Sequence, residues 1–510
     1  MTAKRPGGER AIALPTRWLD PESLPDVVAA FAVEQRPRVW LVGGAVRDRL
    51  LGRPIHDLDL LVEEEAVPLA RAIADRFGGA FCLLDAGRDY GRALLSTVDG
   101  AFLTVDVARL RGESLEADLR ARDFTVNAMA VPLTAAGDGP LIDPTGGWED
   151  LRAGWLRLTS PQALHADPVR LLRAPRLAGE LSLRLTPETI QAIRAAAMLL
   201  VLASPERVRD ELWRMVGVPG CARTARLLHA LDLLPHVLPE LSALAGVTQS
   251  GPHHADVFEH TLQAMHAIDR FLQVVLGQDP PRDVVEGLMW DALRPYADPL
   301  RAHLGQALSA GRAREGWLRW LALTHDWGKA TTRAVDADGR VRFIGHERVS
   351  AELIEMRLDW LRFSRIEIRH LSEMARHHMR SFALTLGDAE PSARAVYRFF
   401  RDAADAGPDL LLFGLADQRA TYGPRLALDA WRAQCARTAR LLNEWCERRD
   451  ARITPAPLLN GRQLMAELGI PPGPTVGRLL EAVREAQAAG EVHDRDQALD
   501  LARRLLHELL

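Results

Sequence analysis

Between Arg38 and about Val131, short apolar and β-branched runs alternate with helical spacing. RVWLVGG, HDLDLLV, AFCLLD, ALLSTV and FLTVDVA read as strands, and AVPLARAIADRFGG repeats its apolar positions at three and four, which predicts a helix. This is the pattern of an α/β domain with a mixed β-sheet. Beyond Asp143-Pro144-Thr145-Gly146-Gly147 the strand pattern stops. PVRLLRAPRLAGEL, PETIQAIRAAAMLLVLA and PERVRDELWRMV carry helical spacing, so the rest of the chain is predicted to be helical. Breaks at Gly146-Gly147, at GVTQSGPH (Gly246 to His253) and at ITPAPLLNG suggest four parts: 1–145, 146–245, 246–425 and 426–510. The length of 510 residues agrees, since a domain takes about 150 residues.

Composition narrows the partners. With 47% hydrophobic and 26% charged residues the chain is expected to be folded throughout. Sixty-four Lys+Arg against 68 Asp+Glu leave a net charge of -4, which excludes a globally basic coat for nucleic acid, so any polyanion must meet a local patch. Only Lys4 and Lys329 are lysines, and the other 62 basic residues are arginine, through genome bias or because arginine binds phosphate bidentately. Cys82, Cys221, Cys435 and Cys446 form no C-x-x-C pair and are too few for a disulfide framework, which fits a reducing cytosol. The opening MTAKRPGGERAIALPTRW lacks the apolar core of a signal peptide, and no apolar run approaches the ~18 residues of a membrane span. A soluble cytoplasmic protein with no membrane partner is expected.

Candidate chemistry begins at LVGGAVRDRLLGRPIHDLDLLV. Gly43 and Gly44 follow one strand, and Asp57 and Asp59 sit at i and i+2 of the next, on one face. Two carboxylates on one face repel unless a cation neutralises them, and an oxygen-only pair suits Mg²⁺. The glycines let backbone approach a phosphate, and Arg47 and Arg53 add charge nearby. The same residues also read as a turn followed by an exposed acidic strand. Asp106, among apolar residues in FLTVDVA, is either a third acidic group or a hydrogen-bonded structural residue.

GGAVRDRLLG followed by HDLD resembles the signature of class II tRNA nucleotidyltransferases, the family of CCA-adding enzymes and bacterial poly(A) polymerases. ARDFTVNAMA (Ala121 to Ala130), DPTGGWEDL (Asp143 to Leu151) and PERVRDEL (Pro205 to Leu212) resemble three further motifs of that family, in the same order. The resemblance implies a nucleotidyltransferase head, a helical neck and catalysis at Asp57 and Asp59, with Asp106 kept as the candidate third catalytic carboxylate. Two Mg²⁺ ions would be held by Asp57 and Asp59, the triphosphate by Gly43, Gly44 and Arg47, and the sugar edge by Arg122, Asp123 and Asn127. Ala121 stands where the family has arginine, which leaves Arg122 to act alone.

HADPVRLLRAPR lies where the family has its base-reading pair, so Asp167 and Arg170 are expected on one helix face. Cytosine offers an N4 donor to a carboxylate and acceptors at N3 and O2 to a guanidinium, and adenine offers N6–H and N1. Uracil and guanine would point an oxygen at the carboxylate and be refused. Asp167-Pro168 also reads as a helix cap with proline at the first position. Arg173 and Arg176 become candidate phosphate contacts, and Pro175 should bend the helix.

In VARLRGESLEADLR the connection after the Asp106 strand is shorter than the flexible loop carried by relatives that add a complete CCA tail. The resemblance thus implies addition of CC from CTP, with A-adding activity or full CCA addition, which would use ATP as well, as alternatives beside a poly(A) polymerase.

A second constellation comprises His260, His325-Asp326, His346, His377-His378 and Asp417, in helical apolar surroundings. An adjacent His-Asp with further histidines and an aspartate on other helices can form a metal cage, or be a helical spacer with dead ligands. The order H…HD…H…H…D and the segment HDWGK resemble the HD phosphohydrolase superfamily. That implies His260, His325, Asp326 and Asp417 as ligands of one divalent metal of unknown identity. His346 with His377, or with His378, would serve a second metal or a phosphate, and phosphate or 2′,3′-cyclic phosphate at RNA ends would be hydrolysed. The last segment, helical and broken at Pro471-Pro472-Gly473, is assigned to the tRNA body or reads as a solvated amphipathic end. Two readings from other classes remain: an HD phosphohydrolase whose head only binds RNA, and a non-catalytic RNA-binding scaffold.

Overall fold

The computed structural model of the protein describes residues 14–15, 18, 23–36, 38–97, 102–134, 139–387 and 390–509. Lys4 and most of the opening segment, read above for a targeting signal, lie outside the described residues. The chain folds as two compact units, 1–203 with 231–233, and 204–230 with 234–510.

The first unit is built on a six-stranded sheet. Its strands are β1 (Val39–Val42), β2 (Asp57–Val62), β3 (Ala80–Asp85), β4 (Tyr90–Ser96), β5 (Phe102–Arg109) and β6 (Ala130–Pro132), in the order β3-β4-β5-β2-β1-β6. Only β2 and β5 run parallel. All five expected strands are present. β6 adds a sixth that no period-2 pattern could announce, being three residues that end on proline.

Among the described residues eight α-helices accompany the sheet: α1 (Leu24–Gln35), α2 (Gly44–Leu50), α3 (Ala66–Phe77), α4 (Leu115–Arg120), α5 (Gly147–Ala153), α6 (Gln162–Ala166), α7 (Arg170–Glu180) and α8 (Pro187–Ala196). The expected helix between the second and third strands is α3. It buries Leu69, Ala70, Ile73 and Ala74 against the back of β4 and β5. The approach is so close that a Cβ on Gly91 of β4 would stand 2.9 Å from the Ala70 methyl, so glycine is required there.

One expectation for α7 needs correction. Asp167 and Arg170 do not share a helix: α6 ends at Ala166, and Asp167 is extended, with φ -153° and ψ 97°. The cause is Pro168, whose ring disfavours helical geometry in the residue before it. Pro175 lies inside α7, which continues to Glu180.

In the second unit the helix Val257–Val275 packs on Gly407–Tyr422 and on Arg314–Thr324, and His346–Trp360 packs on Arg365–His377. Local signals start these helices: the Asp256 side chain caps the first, and Ser364 forms a reciprocal capping box with Glu367. The final three helices, Gly461–Leu468, Pro474–Ala489 and Arg495–Leu509, share a core of Leu464, Leu479, Val483, Ala498 and Ala502. The tail is therefore a packed element and not a solvated amphipathic end. Among the described residues beyond Gly147, the regular structure is helical apart from three two-stranded pairings, such as Trp155–Leu156 with Arg184–Leu185. Strands of two or three residues are too short to show alternation. Among the described residues no helix is long and apolar enough to cross a membrane.

Candidate functional site

The register of the sheet assembles the first site. β2 sends Asp57 and Asp59 to one face, and Asp59 lies opposite Asp106 of β5, which lies opposite Arg92 of β4. Three carboxylates thus share a face on adjacent strands. Asp106 accepts from the Tyr90 hydroxyl at 2.7 Å and from Arg92 Nε and Nη2 at 2.7 and 2.8 Å. Its neighbour differs. Burial pushes the Asp59 carboxyl up to about 6; Arg122 offsets part of this, and Asp106 and Asp57 add to it. An oxygen-only group that resists carrying its own charge beside two other carboxylates is a fitting seat for a hard divalent cation.

Gly43 explains why this corner contains no side chain. It adopts φ 68°, and a Cβ there would lie 2.9 Å from Arg122 Nη1 and 3.0 Å from Asp59 Oδ2. Its N–H donates to the Met129 carbonyl, and the missing side chain leaves room at the bend for Arg122, which pairs with Asp118, and for Asp59. The Arg47 side chain is buried and donates to Asn127 Oδ1 and to Asp48, bracing the corner below Gly44.

Asp123 joins this corner to α7. Burial works to raise its carboxyl, but Arg173, the Phe124 N–H, Arg170 and Asn127 outweigh it and hold it below the usual range. Arg173 Nη1 reaches it at 3.1 Å and Asn127 Nδ2 at 3.2 Å. Although Asp167 lies outside the helix, its Oδ2 comes within 4.0 Å of Arg170 Nε. Arg170 Nη1 is fixed by the carbonyls of Ala121 and Ala163, both at 3.2 Å. Arg176 pairs with Glu180 at 2.8 Å. Tyr90 and Arg92 escaped sequence reasoning: alternation puts them on one face of their strand, but only the register reveals that Asp106 stands opposite.

The second site lies inside the helical unit. His260 comes from the helix Val257–Val275, Asp417 from Gly407–Tyr422 and His346 from the start of His346–Trp360. His325 and His378 follow the ends of two further helices. Asp326 is the hub. Its Oδ2 lies 3.1 Å from His325 Nε2, 3.5 Å from His260 Nε2 and 2.7 Å from Lys329 Nζ, and its Oδ1 lies 3.4 Å from His346 Nε2. Asp417 Oδ1 is 2.9 Å from His260 Nε2, and His346 and His378 meet at 3.4 Å.

These groups suit metal ions for two reasons. The Nδ1–H of His325, His346 and His378 donates to the carbonyl three residues earlier, at 3.1, 2.8 and 2.6 Å, so each ring turns its Nε2 lone pair inward. Moreover His325 Nε2, Asp326 Oδ2 and Asp417 Oδ1 are buried close to one another, the two oxygens at 3.1 Å and 3.8 Å from the imidazole, yet none makes a hydrogen bond of acceptable geometry. The candidate sets are His260, His325 and Asp326 on one side of Asp326, and Asp326, His346 and His378 on the other. Burial, with His325 and His346 nearby, pushes His378 down to about 3, which keeps it neutral and ready to ligate.

One expectation fails here. His377 is not in the cluster; it pairs with Glu373 at 3.4 Å, and His378 takes the inward place.

Comparison with known proteins places this geometry. Residues 39–157 match the family described as poly A polymerase head domain, 182–244 the probable RNA and SrmB-binding site of polymerase A, and 297–413 the HD domain. The A-adding tRNA nucleotidyltransferase of Deinococcus radiodurans is 37% identical over 481 residues, covering 92% of this chain and 96% of that one. The CC-adding tRNA nucleotidyltransferase of Thermus thermophilus is 36% identical over 468 residues, covering 90% and 91%. A solved CCA-adding enzyme in complex with CTP shares the fold, with a TM-score of 0.60 at 20% identity over 96% of each chain. Near-complete coverage at this identity, with three carboxylates on the head sheet and an HD cluster in the helical unit, makes the chain a member of the class II CCA-adding, or tRNA nucleotidyltransferase, family.

Proposed function

We propose that this protein extends the 3′ end of tRNA without a template: the primer 3′-hydroxyl displaces pyrophosphate from the α-phosphate of CTP. The observation that carries this is the row Asp57, Asp59 and Asp106 beside Arg122, with Asp59 raised to about 6. Asp57 and Asp59 would hold Mg²⁺, which when bound supplies positive charge at the reacting phosphate. The residues of the chain position and select. Arg122, Asn127 and Arg47 border the triphosphate and sugar, while Asp167 and Arg170 present an acceptor and a donor to the pairing edge of the incoming base. tRNA, CTP and a cytosolic setting belong to this proposal, and so does the division of the chain into head, neck, HD domain and tail.

Within it we favour addition of two C residues. Only residues 110–114 separate β5 from α4, and they are tethered: the Arg111 N–H donates to Asp118 Oδ1 at 3.3 Å, and Ser114 caps α4. A short tethered connection supports a pocket that does not switch from C to A. A second reading, A addition, is favoured by the similarity to the Deinococcus radiodurans enzyme and is matched by the similarity to the Thermus thermophilus one. Incubating tRNA that lacks its last three nucleotides with CTP or ATP alone separates them. We expect growth by two residues with CTP and none with ATP. Growth by one residue only on a CC-ended tRNA with ATP would replace the CC reading by the A reading.

The corner at Gly43 gives a further expected result. Gly43→Ala forces a Cβ between Arg122 and Asp59 at a positive φ, so stability should fall by about 1–2 kcal/mol and incorporation by ~10²-fold. Denaturant unfolding and single-turnover incorporation measure the two effects.

For the second site we propose metal-dependent hydrolysis of phosphate or 2′,3′-cyclic phosphate at RNA ends, supported by the buried convergence of His260, His325, Asp326, His346, His378 and Asp417.

A further inference from the structure

The two faces of the head sheet differ. α3 covers the back of β4 and β5, burying Gly91, Ala93 and Leu95 with Leu103, Val105 and Val107. The front is open. By register it carries Asp57 and Asp59 on β2, then Phe102, Thr104 and Asp106 on β5, then Arg92, Leu94 and Ser96 on β4. The groups assigned to the nucleotide stand on the β1 flank of Asp59: Gly43 follows β1, and Arg122, Asn127 and Asp123 gather around it. In-line displacement puts the attacking and leaving oxygens on opposite sides of phosphorus. With pyrophosphate leaving toward the arginines, the attacking 3′-hydroxyl must come from the other flank, over β5 and β4.

That flank is suited to a nucleic-acid end. Phe102 is 65% exposed, which is unusual for a phenylalanine in a sheet, and it lies diagonally from the exposed Leu94. It sits four residues along the strand from Asp106, about 13 Å away at the rise of a β-strand. This is farther than a terminal nucleotide's own base reaches from its 3′-oxygen. The base that meets Phe102 therefore belongs to the preceding nucleotide. Arg92, on the same face as Phe102, spends Nε and Nη2 on Asp106 and keeps a side chain that is 37% exposed.

Resting on the transferase reading, we propose that the open face of β4 and β5 seats the 3′ end of the RNA primer, with Phe102 as the stacking platform for its penultimate base and Arg92 beside the connecting phosphate. A stacking platform is indifferent to base identity because every base has a π-face, so one surface serves primers of different sequence.

Phe102→Ala tests this, since the side chain is exposed and its loss leaves the core intact. With truncated tRNA, the primer KM should rise by about 10-fold or more, with the KM for CTP unchanged. Phe102→Tyr should restore it. A 2-aminopurine placed penultimate in the primer should be quenched on binding the wild-type protein and the tyrosine variant, and brighten in the alanine variant. An unchanged primer KM, or equal quenching in wild type and Phe102→Ala, overturns the inference while the transferase reading stands. If the wild-type protein incorporates no nucleotide, that reading fails, and this one with it.

Discussion

Asp59→Asn should abolish nucleotide incorporation, with kcat lower by about 10³-fold or more, while leaving tRNA binding and the proposed HD hydrolysis unchanged. The substitution keeps the shape of the side chain and removes the charge that a divalent ion requires, at the residue central to the acidic row. Its carboxyl is raised to about 6 by burial and by Asp106 and Asp57 against the pull of Arg122, which fixes the sign of the pH effect. A raised folded-state value means that the protonated form is the comfortable one. That contribution to stability is complete below 3.8 and is lost as pH rises through 6 in the metal-free protein. The loss is at most about 3 kcal/mol, reduced by the water that reaches the partly exposed side chain. Magnesium should restore it, so Tm gained on adding Mg²⁺ should be large at pH 8 and small at pH 5. Below pH 6 the apparent Mg²⁺ affinity should weaken by about tenfold per pH unit, because one proton must leave. In Asp59→Asn both dependences vanish, and a Tm gain unchanged by this variant would remove Asp59 from the metal site.

This site was legible in part. The i, i+2 spacing of Asp57 and Asp59 follows from strand geometry, and the bend at Gly43 follows from the glycine pair. The partners of Asp106 do not, because Arg92 and Tyr90 become its neighbours only through the pairing of β4 with β5. Local rules also competed. Asp167 and Arg170 have helical spacing, but Pro168 expels Asp167 from the helix, and the pair meets at 4.0 Å only because α7 begins at Arg170. At His377-His378 two adjacent histidines lie 100° apart around a helix. No periodicity can choose between them where a helix ends, and the bond from His378 Nδ1 to the Ala375 carbonyl decides.

The second large effect is at Asp326, where catalysis and stability pull apart. Asp326→Asn should reduce hydrolysis of 2′,3′-cyclic phosphate ends by about 10³-fold and deplete the helical unit of bound metal, because one carboxylate faces both histidine sets. Incorporation at the head should persist. The same change strands Lys329, buried and 2.7 Å from Asp326 Oδ2, so the metal-free protein should lose about 3 kcal/mol. Burial opposes the charge on Asp326, but His325, Lys329 and His346 outweigh it and hold the carboxyl well below its usual range. Its stabilisation is therefore present above the ordinary carboxylate range and lost on acidification, and Asp326→Asn should flatten the acid limb of the stability profile. Adding Lys329→Met removes the stranded charge and should recover most of the lost stability without recovering hydrolysis or metal. If the double variant regained hydrolysis, Asp326 would be a structural counter-ion for Lys329 and the metal centre would have to be sought elsewhere.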